Sequence, residues 1–264
     1  MDANTEETVD GGTYLTLGHR RIWHYDGGDP AGNPVVLLHG AFASAATWGA
    51  QFADFGAAGL RVLAPERSGH GHSPDHVEPF SYLDMAAETI DYLEAVLDRP
   101  AHLVGWSDGA VVGLLVAMTR PELVGRMVLV GQYFNRSGAK ADTWFDAVLA
   151  RDPATIKMLR TYYDVASPDG PEHFDTVLDK TMALITAEPD LPLDQLAQVH
   201  NPTLVIQADN DVVELAHTID VVNALPNGRL AVLPGTHILP LEAPEVFNPL
   251  ILSYLAAEPP AKWP

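Results

Sequence analysis

The sequence predicts an α/β domain, a mainly parallel sheet flanked by helices, with a helical insertion between two late strands. Short continuous apolar runs carry the first part of this reading. Val35-Val36-Leu37-Leu38, Ala101-His102-Leu103-Val104, Met127-Val128-Leu129-Val130 and Thr203-Leu204-Val205-Ile206 alternate with helix-period segments. Such runs mark strands covered on both faces. The alternation stops after Phe134, and no good strand returns before Val199. The third observation is size: 264 residues, 47% hydrophobic and 19% charged, suit one large domain with a substantial core.

Taken in order, Thr13-Tyr14-Leu15-Thr16-Leu17 and Arg21-Ile22-Trp23-His24-Tyr25 read as a hairpin joined at Gly18-His19. Asp26-Gly27-Gly28-Asp29-Pro30 reads as a turn. The strand Val35-Val36-Leu37-Leu38 ends in His39-Gly40, a helix follows over 47–58, and Arg61-Val62-Leu63-Ala64 is the next strand. Residues 81–97 are helical by spacing, with Leu83, Ala86, Ala87, Ile90, Leu93 and Val96 on one face. The strand at 101–104 leads into a helix over 110–118 that is apolar all round, hence buried on both sides. After the strand at 127–130, helical pieces are predicted at 142–149, 154–163, 172–187 and 193–199. Thr203-Leu204-Val205-Ile206 and Leu230-Ala231-Val232-Leu233 supply two further strands, each followed by a helix. This divides the chain into a core, 1–134 with 200–264, and a helical cap, 135–199. The cap is expected over the carboxyl edge of the sheet, where open α/β sheets bind ligands. The tail Glu258-Pro259-Pro260 is expected to leave the fold.

Composition excludes several functions. With 35 acidic against 15 basic side chains the formal charge is -20, which opposes binding to nucleic acid or to anionic membranes. There is no cysteine, so disulfides, thiolate catalysis and cysteine-ligated metals are ruled out. Residues 1–10 are polar and acidic, with neither a basic start nor an apolar core, so no secretion signal is expected. No apolar stretch approaches the length of a bilayer span. The expectation is a cytoplasmic protein without membrane or nucleic-acid partners, its oligomeric state left open. No cofactor or metal is expected: His70 and His72 lie close together but lack a third ligand nearby, and a turn packed against His39 accounts for them.

The chemistry centres on Gly105-Trp106-Ser107-Asp108-Gly109, a G-x-S-x-G run between a strand and a helix. A strand turning sharply into a helix at Ser107 would strain that residue and expose its hydroxyl at the helix N-terminus. Glycines two residues before and after let neighbouring backbone approach closely. A serine nucleophile needs a base, an orienting acid and amide donors for the oxyanion. His237 follows the last strand on Pro234-Gly235-Thr236. Asp209 and Asp211 share the turn after the strand ending at Ala208, and alternation alone does not choose between them. Gly131-Gln132-Tyr133-Phe134-Asn135 offers no carboxylate, which supports the late position of the acid. Oxyanion donors are expected from the backbone amides of Asp108, at the helix N-terminus, and Ala41, with Phe42 as its neighbour. Phe42, Trp106, Tyr133 and Phe134 are candidate substrate contacts at the strand ends, with the core as the alternative direction for Trp106. Trp144, Phe145, Met158, Tyr162, Tyr163, Phe174, Met182 and Leu184 make the cap apolar, either as internal packing or as pocket wall.

On these residues the chain resembles the α/β-hydrolase superfamily over essentially its whole length. The matching pieces are Leu37-Leu38-His39-Gly40, Pro65-Glu66-Arg67-Ser68-Gly69-His70-Gly71-His72-Ser73, the Ser107 turn, the turn from Ala208 to Asp211 and the His237 loop. Gly-Trp-Ser-Asp-Gly with a helical cap looks most like the valacyclovirase-like (biphenyl-hydrolase-like) serine hydrolases. The resemblance implies an α/β-hydrolase fold, a triad of Ser107, His237 and Asp211 (not Asp209), and His39 as a support of the oxyanion loop. It also implies an Asp108 side chain that pairs with a substrate amine, whereas the residue alone suggests hydrogen bonding around the turn or helix capping. Glu66 stands where Asp is common, Ala208 where Gly is common, and the His237 loop is a residue short. The expected activity is cofactor-independent hydrolysis of small to medium esters, lactones or thioesters through an acyl-enzyme. Carbon–carbon bond hydrolysis, perhydrolysis and lyase chemistry use the same triad. A slow-turnover ligand receptor is the non-enzymatic alternative. A serine nucleophile speaks against dehalogenase and epoxide hydrolase chemistry.

Overall fold

The computed structural model describes residues 10–256; the acidic leader and the Pro-rich tail lie outside them. Eight strands form one sheet: β1 (Thr13–Leu17), β2 (Arg20–Gly28), β3 (Asn33–Leu38), β4 (Leu60–Pro65), β5 (Ala101–Trp106), β6 (Val124–Val130), β7 (Thr203–Asn210) and β8 (Gly228–Thr236). Their spatial order is β1-β2-β4-β3-β5-β6-β7-β8. β1 and β2 pair antiparallel, as do β2 and β4; every later pairing is parallel.

Period-two alternation sorts the strand side chains between two apolar layers. Val36, Leu38, Leu63, Leu103, Leu129 and Val205 face a core shared with α2 (Tyr82–Val96), α3 (Asp108–Thr119) and α7 (Leu215–Ala224). Val35, Leu37, Val62, Val104, Val128, Leu204 and Ile206 face α1 (Gly49–Ala57), α8 (Leu239–Glu242) and α9 (Pro244–Ala256). α2 starts at Ser81, whose side chain accepts the Asp84 amide at 3.1 Å, a serine N-cap. α3 is buried all round because it lies against the sheet beside α2.

Between β6 and β7 the chain forms α4 (Trp144–Leu149), α5 (Pro153–Ala166) and α6 (Phe174–Ala187). α5 opens on an Asp152 cap followed by Pro153, the favoured order at a helix start. The last expected helical piece is a 3-10 helix, Leu193–Gln198. Val148, Leu159, Phe174, Val177 and Leu184 join the core beneath α2 and α3, so the insertion is packed continuously with the sheet layer. It leaves and re-enters through a neck: the Leu191 amide donates to the Phe134 carbonyl at 2.9 Å, beside an Asn135–Asp190 bridge.

Two expectations about the strands need correction, and one about α2, whose buried face carries Tyr82, Met85, Ala86, Thr89, Tyr92 and Leu93 while Leu83 is exposed. The turn expected at 26–30 begins later, because Asp26, Gly27 and Gly28 continue β2 and pair with Leu63, Val62 and Arg61. Gly28, at φ +77, permits this, since a Cβ there would sit 2.2 Å from the Leu60 carbonyl oxygen. β8 is also not covered on both faces. It is the sheet edge, and Leu230 and Val232 stay 40% and 43% exposed. Among the described residues no helix is long and apolar enough to cross a membrane.

A buried amide cluster ties α1 to α9. Gln51 donates to Asn248 Oδ1 at 2.8 Å and to the Pro240 carbonyl at 2.9 Å, while Asn248 donates to the Ala50 carbonyl at 3.0 Å and to Asp54 at 2.7 Å. Asn248→Ala strands these partners, and the expected loss is about 1–3 kcal/mol of stability, read from chemical denaturation midpoints at unchanged slope.

Candidate active site

Strand order brings the site together. β4 lies on one side of β3 and β5 on the other, so the loops leaving β3 and β5 diverge at a switch point. The first of these loops is His39-Gly40-Ala41 and the second is Ser107. β6, β7 and β8 follow outward in order, and their carboxyl ends deliver Gly131, Asp211 and His237 to the same rim.

Ser107 has φ 54° and ψ −118°, a conformation that non-glycine residues rarely adopt. It is held because the chain must reverse from β5 into α3 within one residue. Space for the reversal comes from two glycines. A Cβ on Gly105 would lie 2.3 Å from the Gly109 carbonyl oxygen, and one on Gly109 would lie 2.0 Å from that of Leu38. Asp108 and Gly109 are the first residues of α3, whose leading amides have no acceptor within the helix and carry its positive dipole end.

The structure brings Ser107, His237 and Asp211 together. The Ser107 hydroxyl lies 3.0 Å from His237 Nε2, and His237 Nδ1 lies 2.7 Å from Asp211 Oδ1. The hydroxyl can donate to Nε2 while Nδ1–H donates to the carboxylate, the tautomer that a general base requires. Burial works to raise the Asp211 pKa, but the His237 hydrogen bond and charge and the backbone amides hold it below the usual carboxylate value. Asp209 turns away and accepts the Gly235 amide at 2.9 Å, bracing the loop that carries His237. Trp106 Nε1 braces the loop from the other side, donating to the His237 carbonyl at 2.6 Å.

A layer of buried polar side chains supports the loop after β3. The Arg67 guanidinium donates to the carbonyls of His39 at 2.7 Å and Gly40 at 3.1 Å, and the Arg67 amide donates to His39 Nε2 at 3.2 Å. These bonds fix the peptide chain on which the Ala41 amide sits. Burial drives His39 well below the ordinary histidine value, with Arg67 and His70 adding to the effect, so it acts as a neutral support. Glu66 accepts the amides of Ala45 at 3.0 Å and His72 at 2.5 Å, so the longer carboxylate still closes this turn. His70 packs on His39 with ring centroids 5.2 Å apart, and His72 pairs with Glu66 and Asp10.

A cavity of about 520 Å³ opens over Ser107. Ala41, Phe42, Trp106, Ser107 and His237 line it from the sheet rim, and Trp144, Met158, Leu159 and Tyr162 line it from the insertion. Trp106 thus serves both of its expected directions, lining the cavity while packing into the core layer of Val104 and Val130. Ile238 and Leu241 complete the wall; no motif marks them, only their position directly after the histidine.

Three expected contacts are displaced. Tyr133 does not line this cavity: it is buried, with its hydroxyl 3.4 Å from that of Tyr82 and its ring against Phe145. Phe134 is drawn under the insertion, where it stacks on His217 at 4.2 Å between centroids. The Asp108 carboxylate does not face the cavity either, because it accepts from Tyr82 at 2.8 Å. Burial raises its pKa, against the pull of Arg67, the Tyr82 hydrogen bond and His237. It belongs to the buried layer beneath the turn. Two positions were not singled out from the sequence: Arg67, and Gly131, where a Cβ would lie 2.8 Å from His237 Cε1.

Residues 35–250 match the alpha/beta hydrolase family. The chain is 30% identical to the 2-hydroxy-6-oxononadienedioate/2-hydroxy-6-oxononatrienedioate hydrolase of Paraburkholderia phymatum, over 94% of this chain and 93% of that protein. It is 26% identical to the serine hydrolase BPHL of Homo sapiens, over 88% of this chain and 82% of that protein. A hydrolase of known structure from Pseudomonas aeruginosa is similar at 25% identity with a TM-score of 0.76, covering 95% of this chain and 100% of that one.

Gly131 has φ +59 as well as the His237 ring against it. Gly131→Ala is therefore expected to shift the imidazole and to slow modification of Ser107 by a fluorophosphonate about a hundred-fold, the effect of a misplacement of about 1 Å. Thermal unfolding of the same variant checks that the fold persists. A pH effect follows from His70, which burial, then Arg67, pushes down to about 3. The unfolded chain, with its histidine near 6.5, binds more protons between those values, so stability is complete above about pH 6.5 and falls as pH drops toward 3. Melting temperatures taken from pH 7 to pH 5 should fall, and His70→Asn should flatten the slope.

Proposed function

The chain belongs to the alpha/beta hydrolase family, and on that premise we propose that it is a cofactor-independent serine hydrolase of neutral, largely apolar esters, lactones or thioesters. The observation that carries this reading is the bonded chain from Ser107 through His237 to Asp211, at 3.0 and 2.7 Å, on the floor of a cavity. Ser107 Oγ attacks the acyl carbonyl carbon as His237 Nε2 takes its proton. The ionised Asp211 carboxylate holds the ring and stabilises the imidazolium. The oxyanion settles between the amides of Ala41 and Asp108, where one such donor is worth about a hundred- to a thousand-fold in rate. Collapse breaks the bond to the alcohol or thiol, which leaves with the proton from Nε2. Water, deprotonated by the same nitrogen, then attacks the acyl-enzyme and releases the acid and free Ser107.

The cavity lining supports the substrate class. No Lys, Arg, Asp or Glu is among the described residues that line it. The Paraburkholderia relative is named for a dicarboxylate substrate; a doubly charged molecule would find no cation here to offset its desolvation. The relative named as a serine hydrolase supports serine chemistry.

Intact-protein mass spectrometry after fluorophosphonate treatment should give one adduct, absent from Ser107→Ala. The same substitution should lower kcat on a responsive ester by about a million-fold, as when such residues act as a unit. p-Nitrophenyl butyrate should be cleaved with a higher kcat/KM than the matched hemisuccinate. An adduct elsewhere, or near-normal turnover by Ser107→Ala, overturns the assignment; a preference for the hemisuccinate overturns the substrate class.

A further inference from the structure

A second cavity of about 330 Å³ lies beside the first. Phe42, Ala43, Ser44, Ala46, Leu159 and Tyr162 line both, so the two chambers share one wall. Either volume falls in the range of about 300–1,000 Å³ that small-molecule sites occupy. The shared wall contains a strained residue. Phe42 has φ +54, a region that ordinary side chains rarely adopt. Such outliers persist where the surrounding structure demands them, and they concentrate at functional sites. Here the conformation sets a large aromatic side chain into the wall, edge-to-face with Trp144 of the insertion at 6.1 Å between centroids.

The far chamber is built for an uncharged, apolar occupant. Leu159, Tyr163, Phe174 and Val177 line it on one side, and Trp23 and Phe52 on another. Most of its polar lining is committed: Glu66 accepts from Ala45 and His72, His72 pairs with Glu66 and Asp10, and His70 Nδ1 lies 3.1 Å from the Ser68 carbonyl. The two buried atoms of this lining left without a partner, His70 Nε2 and the Tyr163 hydroxyl, belong to uncharged groups, and both carboxylates are paired with His72.

We propose that Phe42 is the partition of one extended binding site, and that the length of a substrate's apolar chain is set by whether it passes this ring into the far chamber. The proposal rests on the hydrolase reading above. Phe42 acts here as a specificity-determining residue, distinct from the groups that move protons.

The test compares kcat/KM for p-nitrophenyl decanoate and p-nitrophenyl acetate as a ratio, so that any uniform damage to the loop after β3 cancels. Phe42→Ala should raise the decanoate-to-acetate ratio by about ten-fold or more, roughly what burial of two further methylene groups supplies. Adding Ala166→Phe, which narrows only the far chamber, should return the ratio toward that of the unmodified protein. An unchanged ratio in Phe42→Ala, or a gain that survives Ala166→Phe, overturns the partition. Were neither ester cleaved by any form, the hydrolase reading would fall instead. The same comparison would then be read as the ratio of dissociation constants for 1-decanol and 1-butanol, followed by tryptophan fluorescence: a gain in Phe42→Ala supports the partition, and no gain overturns it.

Discussion

The backbone reversal at Ser107 is the constraint on which the rest of the structure depends. Its positive φ is unfavourable for a serine, and it survives because β5 enters and α3 leaves under close backbone contact. That contact requires bare glycine at 105 and 109, and it requires β3 to lie immediately beside β5, since the carbonyl of Leu38 presses on Gly109. The same adjacency sets the β3 loop next to the serine. One steric condition therefore fixes the hydroxyl, the first amides of α3 and the neighbouring amide of Ala41 in mutual register.

Beneath this turn lies a second requirement, electrostatic in kind. Arg67 is buried, and burial lowers its pKa against the pull of Asp108, Glu88 and Tyr82. A buried guanidinium is tolerable only when its donors are satisfied and opposite charge is near. The carbonyls of His39 and Gly40 meet the first condition at the two terminal nitrogens, leaving only Nε without a partner, and the carboxylates of Asp108 and Glu88 meet the second. Glu88 is itself held by the amide of Ser68 at 3.0 Å and its hydroxyl at 2.5 Å. The loop above is thus pinned by groups that cannot leave without stranding a charge.

Much of this was legible in the sequence because its signals are local. Apolar runs bounded by glycine and polar residues marked the parallel strands, and the G-x-S-x-G run carried its own steric explanation. Position relative to strand ends found His237, and the resemblance selected Asp211 over Asp209. What escaped depends on distant partners. Asp108 turns to Tyr82 of α2, and Phe134 to His217 of α7, and nothing near either residue in the chain announces those rings. The exposure of β8 is likewise a consequence of being last in the sheet order, which its apolar composition conceals. Arg67 lay inside a quoted motif, yet its task emerges only when β3 and the turn after β4 are seen side by side.

The neck between Phe134 and Leu191 has a consequence for descent. The insertion leaves β6 and returns toward β7, which are neighbours in the sheet, and its two chain passes are clasped to each other at the threshold. Seen from the sheet, those sixty or so residues amount to an enlarged loop whose end points would sit equally close if the loop were short. Its length can therefore change while β5, β7 and β8 keep their order and spacing, provided that the core it shares with the sheet layer, Val148, Phe174 and Val177 among its members, stays covered. What shapes the entrance of the chamber is thereby carried by a different stretch of chain from the residues at its floor.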